Sequence, residues 1–351
     1  MGKTTVASGL SQQFAFPPPP LTADLRGKSV LITGANSGIG FETALHFARI
    51  PKPPTRIVMA CRSEEKGRDA AALIQKETGF LPEVRVVDLS DFQTVIAFAK
   101  GLEDVPLDIV VANAGVRLVE YQVSKDGWEQ SLQINHLSTA LLSFLLLPNL
   151  ARAAEQHESY SRLVVVTSSM YSRAQIDEKL LSAPEGILAT LSDAECSSGN
   201  GTMTNRYSQT KRQVFNIFFT RAFAQHLGSH SPIIATAVNP GFCVSNIRRN
   251  LPLTMRIGDK IAEMLMARTA EQGARQIIWA ALGPDGKDGP HVGQTMRGAY
   301  VSTGQTWEPS DFVISREGLE VQENVWHETI RILSKINPLV QANVEKYLAH
   351  P

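Results

Sequence analysis

Cysteine is scarce in this chain of 351 residues. Cys61, Cys196 and Cys243 are too few and too scattered for a disulfide framework or a zinc site, so a reducing compartment and no metal are expected. Net charge is also lacking, because 34 Lys and Arg balance 34 Asp and Glu. Without a basic surplus the chain has no electrostatic footprint of a nucleic-acid binder, and no such partner is expected. Long apolar runs are missing too. The longest, 137–150, is broken by Ser138, Thr139, Ser143 and Pro148 and falls well short of the roughly 20 residues that span a bilayer. It reads as a buried helix of a soluble protein, with no transmembrane segment. The first residues show no apolar signal-peptide core. Val6 stands where N-myristoylation after Gly2 requires Ser or Thr, so a cytoplasmic location is expected. What is present is ordinary globular material, 43% hydrophobic and 19% charged, which is enough for a large core.

Residues 1–24 contain the proline run 17–20 and read as a flexible, extended arm. From there to residue 351 short apolar runs alternate with helical patterns. The runs 28–33, 56–60, 83–87, 107–112, 162–167, 233–238 and 298–302 read as strands. Helices are expected over 38–50, 63–78, 91–100, 128–154, 205–227 and 273–282, with Asp91 as a cap and an interruption near Pro148. This alternation predicts a single doubly wound α/β domain with a mostly parallel sheet of about seven strands, buried on both faces. Two segments break the rhythm, 170–204 and 242–269. Both follow strands on the side where open α/β sheets bind ligands, and both are expected to serve the substrate.

The first strand runs into Thr33-Gly34-Ala35-Asn36-Ser37-Gly38-Ile39-Gly40, and a helix follows. Gly34 permits a sharp turn, Gly38 lets backbone amides approach a pyrophosphate, and Gly40 lets the helix pack close to the strand. The anion would sit at the helix N-terminus, where unpaired N–H groups and the helix dipole favour negative charge. This is the phosphate turn of a Rossmann-type dinucleotide site. Gly2-Lys3-Thr4 resembles the end of a Walker loop, but it lacks the upstream glycine and the strand that such a loop needs. The second strand ends Met59-Ala60-Cys61-Arg62-Ser63, with no carboxylate to accept ribose hydroxyls. Arg62 instead suits a 2′-phosphate, so NADP(H) is expected over NAD(H).

Tyr207 and Lys211 share one helical face at i, i+4 spacing in Tyr-Ser-Gln-Thr-Lys. An ammonium beside a phenol favours the phenolate and brings the hydroxyl toward acid–base duty near neutral pH. His226 and His230 have the same spacing, but no acid is placed as in a zinc protease helix, and they read as solvated helix-end residues. Ser168-Ser169 has no nucleophile elbow around it, which argues against a serine hydrolase.

Together these residues resemble the short-chain dehydrogenase/reductase family over roughly 27–302. The resemblance rests on Thr33-Gly34-x-x-x-Gly38-x-Gly40, Asp88-Leu89, Asn113-Ala114-Gly115, Asn135, Ser168-Ser169, Tyr207-x-x-x-Lys211 and Pro240-Gly241. In look it is nearest the retinol-dehydrogenase and WW-domain-oxidoreductase branch and fungal pathway reductases, which implies a role in secondary metabolism. It implies that Asp88 and Leu89 lie by the adenine and that Asn113-Ala114-Gly115 line the cofactor cleft. It also implies that Pro240, Gly241 and Val244 pass the nicotinamide end. Tyr207 would be the proton donor and acceptor, and Lys211 would lower its pKa and hold the nicotinamide ribose. Ser169, with Ser168 as its alternative on the opposite side of the strand, would orient the substrate oxygen. Asn135 would hold a water linking Lys211 to solvent; taken alone, a buried Asn bound to backbone explains it better, and within the tetrad the relay is expected. A homodimer is among the assemblies the family implies.

One departure stands out: Ser169 and Tyr207 are 38 positions apart, more than the family's dozen or two dozen. The activity expected is interconversion of a ketone or aldehyde and an alcohol on a lipophilic small molecule. Met170, Tyr171, Ile176, Leu180, Leu181, Phe242, Leu251, Leu253 and Met255 supply the apolar surface for it. Lid packing explains the same residues. The alternative from another class is a non-catalytic NADP(H)-binding regulatory protein, whose mark would be a damaged tetrad. Here all four members stand.

Overall fold

Successive residues of the strand Ser29–Thr33 enter different cores: Val30 and Ile32 pack on one side of the sheet and Leu31 on the other. A sheet that is apolar on both faces must be covered on both, and this one is. The computed structural model describes residues 2–118, 120–169, 171, 178–181, 183–194, 213–245, 260, 263–284 and 295–348. Its strands are β1 Gly2–Lys3, β2 Ser29–Thr33, β3 Arg56–Cys61, β4 Glu83–Val86, β5 Ile109–Ala112, β6 Ser161–Val166, β7 Ile233–Val238, β8 Tyr300–Ser302 and β9 Gln305–Glu308. They form one sheet of nine in the order β1-β9-β8-β7-β6-β5-β2-β3-β4. All neighbours are parallel except β8 and β9.

The seven strands read from the sequence are β2 to β8. The extra pair arises at one edge, where Thr303 and Gly304 (φ 53° and 67°) turn β8 back into β9 as a two-residue hairpin. The chain leaves β2 toward β3 on one side and returns to β5 on the other. The crevice at the C-terminal ends of β2 and β5 is therefore the topological switch point.

Four helices frame the first half: α1 Val6–Phe14, α2 Gly38–Arg49, α3 Glu64–Thr78 and α4 Phe92–Lys100. The Ser63 hydroxyl accepts from Lys66 N at the start of α3, and the Asp91 carboxylate accepts from Gln93 N at the start of α4. Each satisfies an amide that the helix itself leaves unpaired.

The N-terminal arm is not extended throughout, which corrects the reading of 1–24. Gly2 and Lys3 pair with Trp307 and Glu308, and α1 opens on a reciprocal capping box between Thr5 and Ser8. The prolines that suggested disorder lie beyond this helix, where they end it. The long helix expected over 128–154 is also broken. A short turn Gln130–Leu132 leads into a π-helix Gln133–Leu137, then helices Ser138–Leu145 and Leu147–Gln156. Pro148 sits in the first turn of the last of these, where its missing N–H costs nothing. Among the described residues no single helix is long and apolar enough to cross a membrane.

The chain beyond β9 packs back on the body. Trp326 of the helix Arg316–Ile336 meets Phe144, Phe219 and Phe223 edge-on or tilted. It also stacks on His226 at 5.0 Å, so His226 is half-buried and not the solvated residue its helix-end position suggested. His230, four residues past the end of the helix Gln213–His226, is exposed.

Candidate active site

The site lies along the C-terminal edge of the parallel strands. Gly34 follows β2, Arg62 β3, Asp88 β4, Asn113 β5, Ser169 β6 and Pro240 β7. At the glycine turn, Gly34 and Gly38 adopt left-handed φ values of 68° and 58°, a conformation that glycine takes without penalty. Gly40 has a different reason. A Cβ there would collide with Gly34 O and stand 2.6 Å from Asn113 Nδ2, so glycine lets α2 pack against the strand turn. Thr33 ties the turn to the next strand: its hydroxyl accepts from Asn113 N (3.0 Å) and Ala114 N (2.9 Å). Asn113 Nδ2 donates to Thr33 O at 2.9 Å.

Unlike α3 and α4, α2 has no side-chain cap, although Ser37 stands at its N-cap position, and no acid occupies its first turn. An anion at Asn36, Ser37, Gly38 and Ile39 would meet backbone amides at the positive end of the helix dipole. The cradle therefore fits the pyrophosphate of a dinucleotide.

Arg62 is exposed just before α3 and makes no ion pair among the described residues, which leaves its guanidinium available. Asp88 accepts from Ser90 N (2.9 Å) and Ser90 Oγ (2.7 Å), and the Leu89 carbonyl accepts from Ser138 Oγ at 2.7 Å. Ala114 and Gly115 continue the turn after β5 and are half-buried. The neighbouring Cys61 thiol is buried and pushed up to about 11 by that burial, so it is not a reactive group.

Asn135 occupies the π-helix. Its Oδ1 accepts from Val116 N (2.8 Å) and its Nδ2 donates to Val116 O (3.0 Å). The side chain is thus hydrogen-bonded to the segment after β5, with one acceptor site of Oδ1 and one N–H of Nδ2 beyond these two bonds. The next residue, His136, lies between Phe215 and Phe219 with Nε2 3.0 Å from Thr329 Oγ1. Complete burial pulls its pKa down to about 3, so the imidazole is neutral.

Ser168 and Ser169 are half-buried directly after β6. Tyr207 and Lys211 lie outside the described residues. So do Met170, Ile176, Leu251, Leu253 and Met255 of the expected substrate segments. Two of the apolar residues assigned to the substrate belong to the core. Tyr171 is 1% exposed, with its ring edge-on to Tyr300 at 5.2 Å, and Leu180 is buried. Leu181 and Phe242 are half-buried, and Val244 is exposed.

After β7 the Asn239 side chain accepts from Gly241 N at 3.0 Å and shapes the Pro240-Gly241 turn. This turn brings in residues that the sequence did not single out. Gln13 of α1 clasps Phe242: Oε1 accepts from its N–H (2.6 Å), and Nε2 donates to the carbonyls of Phe242 (3.0 Å) and Met266 (2.7 Å). The buried Arg268 guanidinium donates to Pro240 O (3.3 Å), Gln12 O (2.5 Å) and Ala15 O (2.9 Å). It thereby satisfies the carbonyl end of α1 with a cation. Helix α1 thus lies on the turn after β7, and the Thr5–Ser8 capping pair was its one local trace in the sequence.

Comparison with known proteins agrees with this geometry. Residues 28–180 match the short chain dehydrogenase family. A short chain dehydrogenase of Arthrobotrys oligospora is 32% identical over 92% of this chain and 97% of its own length. A solved structure from Mycobacterium Paratuberculosis is 27% identical, covers 90% of this chain and 96% of its own, and superposes with a TM-score of 0.62. A short chain dehydrogenase from Escherichia coli CFT073, complexed with NADPH, shares the fold at 21% identity and a TM-score of 0.55, covering 82% of this chain and 99% of its own.

Proposed function

Because the chain belongs to the short-chain dehydrogenase/reductase family, and so to a family of oxidoreductases, we propose that it interconverts a lipophilic ketone or aldehyde and its alcohol with NADP(H). One observation carries the reading: the uncapped α2 N-terminus and the serine after β6 open onto the same strand edge. A dinucleotide held at Gly34–Gly40 and a carbonyl held at Ser169 would therefore lie in one crevice. Asn36, Ser37, Gly38 and Ile39 would receive the pyrophosphate, Asp88 and Leu89 would flank the adenine, and Pro240, Gly241 and Val244 would flank the nicotinamide end. Bound there, NADP(H) supplies or accepts the hydride.

The protein's own part is positioning and proton transfer. Ser169 Oγ–H donates to the substrate oxygen and fixes its direction. The Tyr207 hydroxyl gives its proton to the developing alkoxide, or takes it back in the oxidative direction. The Lys211 ammonium, four residues on in the sequence, stabilises the phenolate that remains. The exposed Arg62 suits the 2′-phosphate through charge-assisted hydrogen bonds. Half-buried Phe242, beside the Pro240-Gly241 turn, supports a lipophilic substrate.

The test is consumption of NADPH and of NADH by the purified protein against a panel of lipophilic aldehydes and ketones. Tyr207→Phe runs alongside. The variant is expected to lose about 10²-fold to 10⁴-fold in turnover while binding NADPH as before. Near-full activity in the variant would remove Tyr207 from the chemistry. Equal KM values for the two cofactors would remove Arg62 from cofactor selection.

A further inference from the structure

Helix α1 lies against the serine to which the reaction is assigned. A Cβ built on Gly9 would stand 3.6 Å from Ser169 Cβ and 3.7 Å from Ser169 Oγ. The helix backbone thus comes within one methyl group of the Ser169 hydroxyl. Gln12 and Gln13 follow Gly9 by three and four positions and diverge to either side of the line Gly9 makes along the helix. Gln13 turns toward Phe242, where its amide is fully used.

Gln12 lies on the other side of that line. It is 2% exposed, and among the described residues neither its Oε1 nor its Nε2 finds a hydrogen-bond partner. A buried carboxamide left unpaired at both atoms is costly, and folds rarely keep one without use.

We propose that α1 is a wall of the substrate site and that Gln12 is a specificity-determining residue, hydrogen-bonding a second oxygen function on the lipophilic carbonyl substrate. The inference rests on the reductase reading for the role of Ser169. Three residues along a helix advance about 4.5 Å, which places the second oxygen a few bonds from the reacting carbonyl. A hydroxyketone or a diketone has this form, and a simple alkanone does not. The carboxamide can donate to a carbonyl or accept from a hydroxyl, so either oxidation state of that second group is served.

The test is binding, which is independent of turnover. 2-Decanone and its 4-, 5- and 6-hydroxy derivatives are titrated calorimetrically into wild-type protein saturated with NADP⁺ and into Gln12→Leu. The expected result is that wild type prefers at least one hydroxyketone about tenfold over 2-decanone. Gln12→Leu abolishes that preference and binds 2-decanone at least as well. Equal discrimination by the two proteins, or no binding of any member by wild type, overturns the assignment. Selective binding without any NADPH consumption would leave Gln12 in place and sink the reductase reading instead.

A second variant tests the placement of α1. Gly9→Cys with Ser169→Cys brings two Cβ atoms to a separation within the usual range for a disulfide. On mild oxidation the pair is expected to cross-link within one chain. Failure to do so while both introduced thiols react with a thiol reagent would place α1 elsewhere and overturn the proposal.

Discussion

On the turn side of the crevice, between β2 and β5, every wall is made within a few residues of a strand end. Thr33, Gly34, Gly40 and Asn113 interlock through short backbone contacts. On the serine side, beyond β6, the walls come from segments far apart in the chain. Gln13 reaches Phe242 across 229 positions, and Arg268 reaches Gln12 across 256. The first kind of site is set by local geometry that any strand–turn–helix unit can carry. The second exists only when the whole fold is complete. One chain can thus hold a glycine turn fixed by local contacts beside a serine-side wall whose order depends on distant ones.

The contrast is broken most severely at Gly40. In Gly40→Val the new side chain has no room between Gly34 O and Asn113 Nδ2, and the backbone must move. A loss of about 3 kcal/mol in denaturant unfolding is expected, together with at least tenfold weaker NADPH binding. Wild-type stability in this variant would show that the turn side is looser than its contacts imply.

Arg268→Leu sharpens the other side. Three carbonyls, of Pro240, Gln12 and Ala15, lose their donor, at a cost of about 2 kcal/mol. Hydrogen exchange should quicken in residues 6–14 and leave α2 unchanged. Uniform quickening across both sides would erase the distinction.

The smallest effect is a pH slope. The native imidazole of His136 stays neutral down to a pKa of about 3, against 6.5 in the unfolded chain. Between those values the unfolded state binds the extra proton, so stability falls as pH falls. From pH 6.5 to 5.5 the loss is about 1 kcal/mol. His136→Phe should flatten that slope, with Thr329 still donating to Val325 O. An unchanged slope would assign the acid sensitivity to another group.

The sequence discloses the two sides unequally, for the same reason. Gly34, Gly38 and Gly40 lie in one window between a strand and a helix, so their spacing alone indicates the turn. The parallel strands were equally legible, since a sheet buried on both faces writes continuous apolar runs. β9 was not, although Thr303-Gly304 between Tyr300 and Trp307 carries a hairpin signal. Its strand is short, and Trp307 is its one apolar residue. Helix α1 was obscured by the proline run after it, and its contacts with Ser169 and Phe242 have no local trace at all. Asn135 was legible as a special residue but not in its partner, because Val116 offers only backbone. Tyr171 and Leu180 have the composition of a pocket wall, and burial against Tyr300 and the core instead is decided by tertiary packing.

Glu328, near the middle of the helix Arg316–Ile336, has a consequence for exchanging parts between relatives. Its carboxylate, 7% exposed and with its pKa raised by burial, accepts from Leu188 N at 3.1 Å and Ala189 N at 3.2 Å. The segment after the serines is thereby moored to a helix encoded some 140 positions later. A chimera that swaps the 178–194 segment alone would leave that acid buried with its donors misplaced. Transplanting the segment together with its C-terminal helix would carry lock and anchor as one heritable unit.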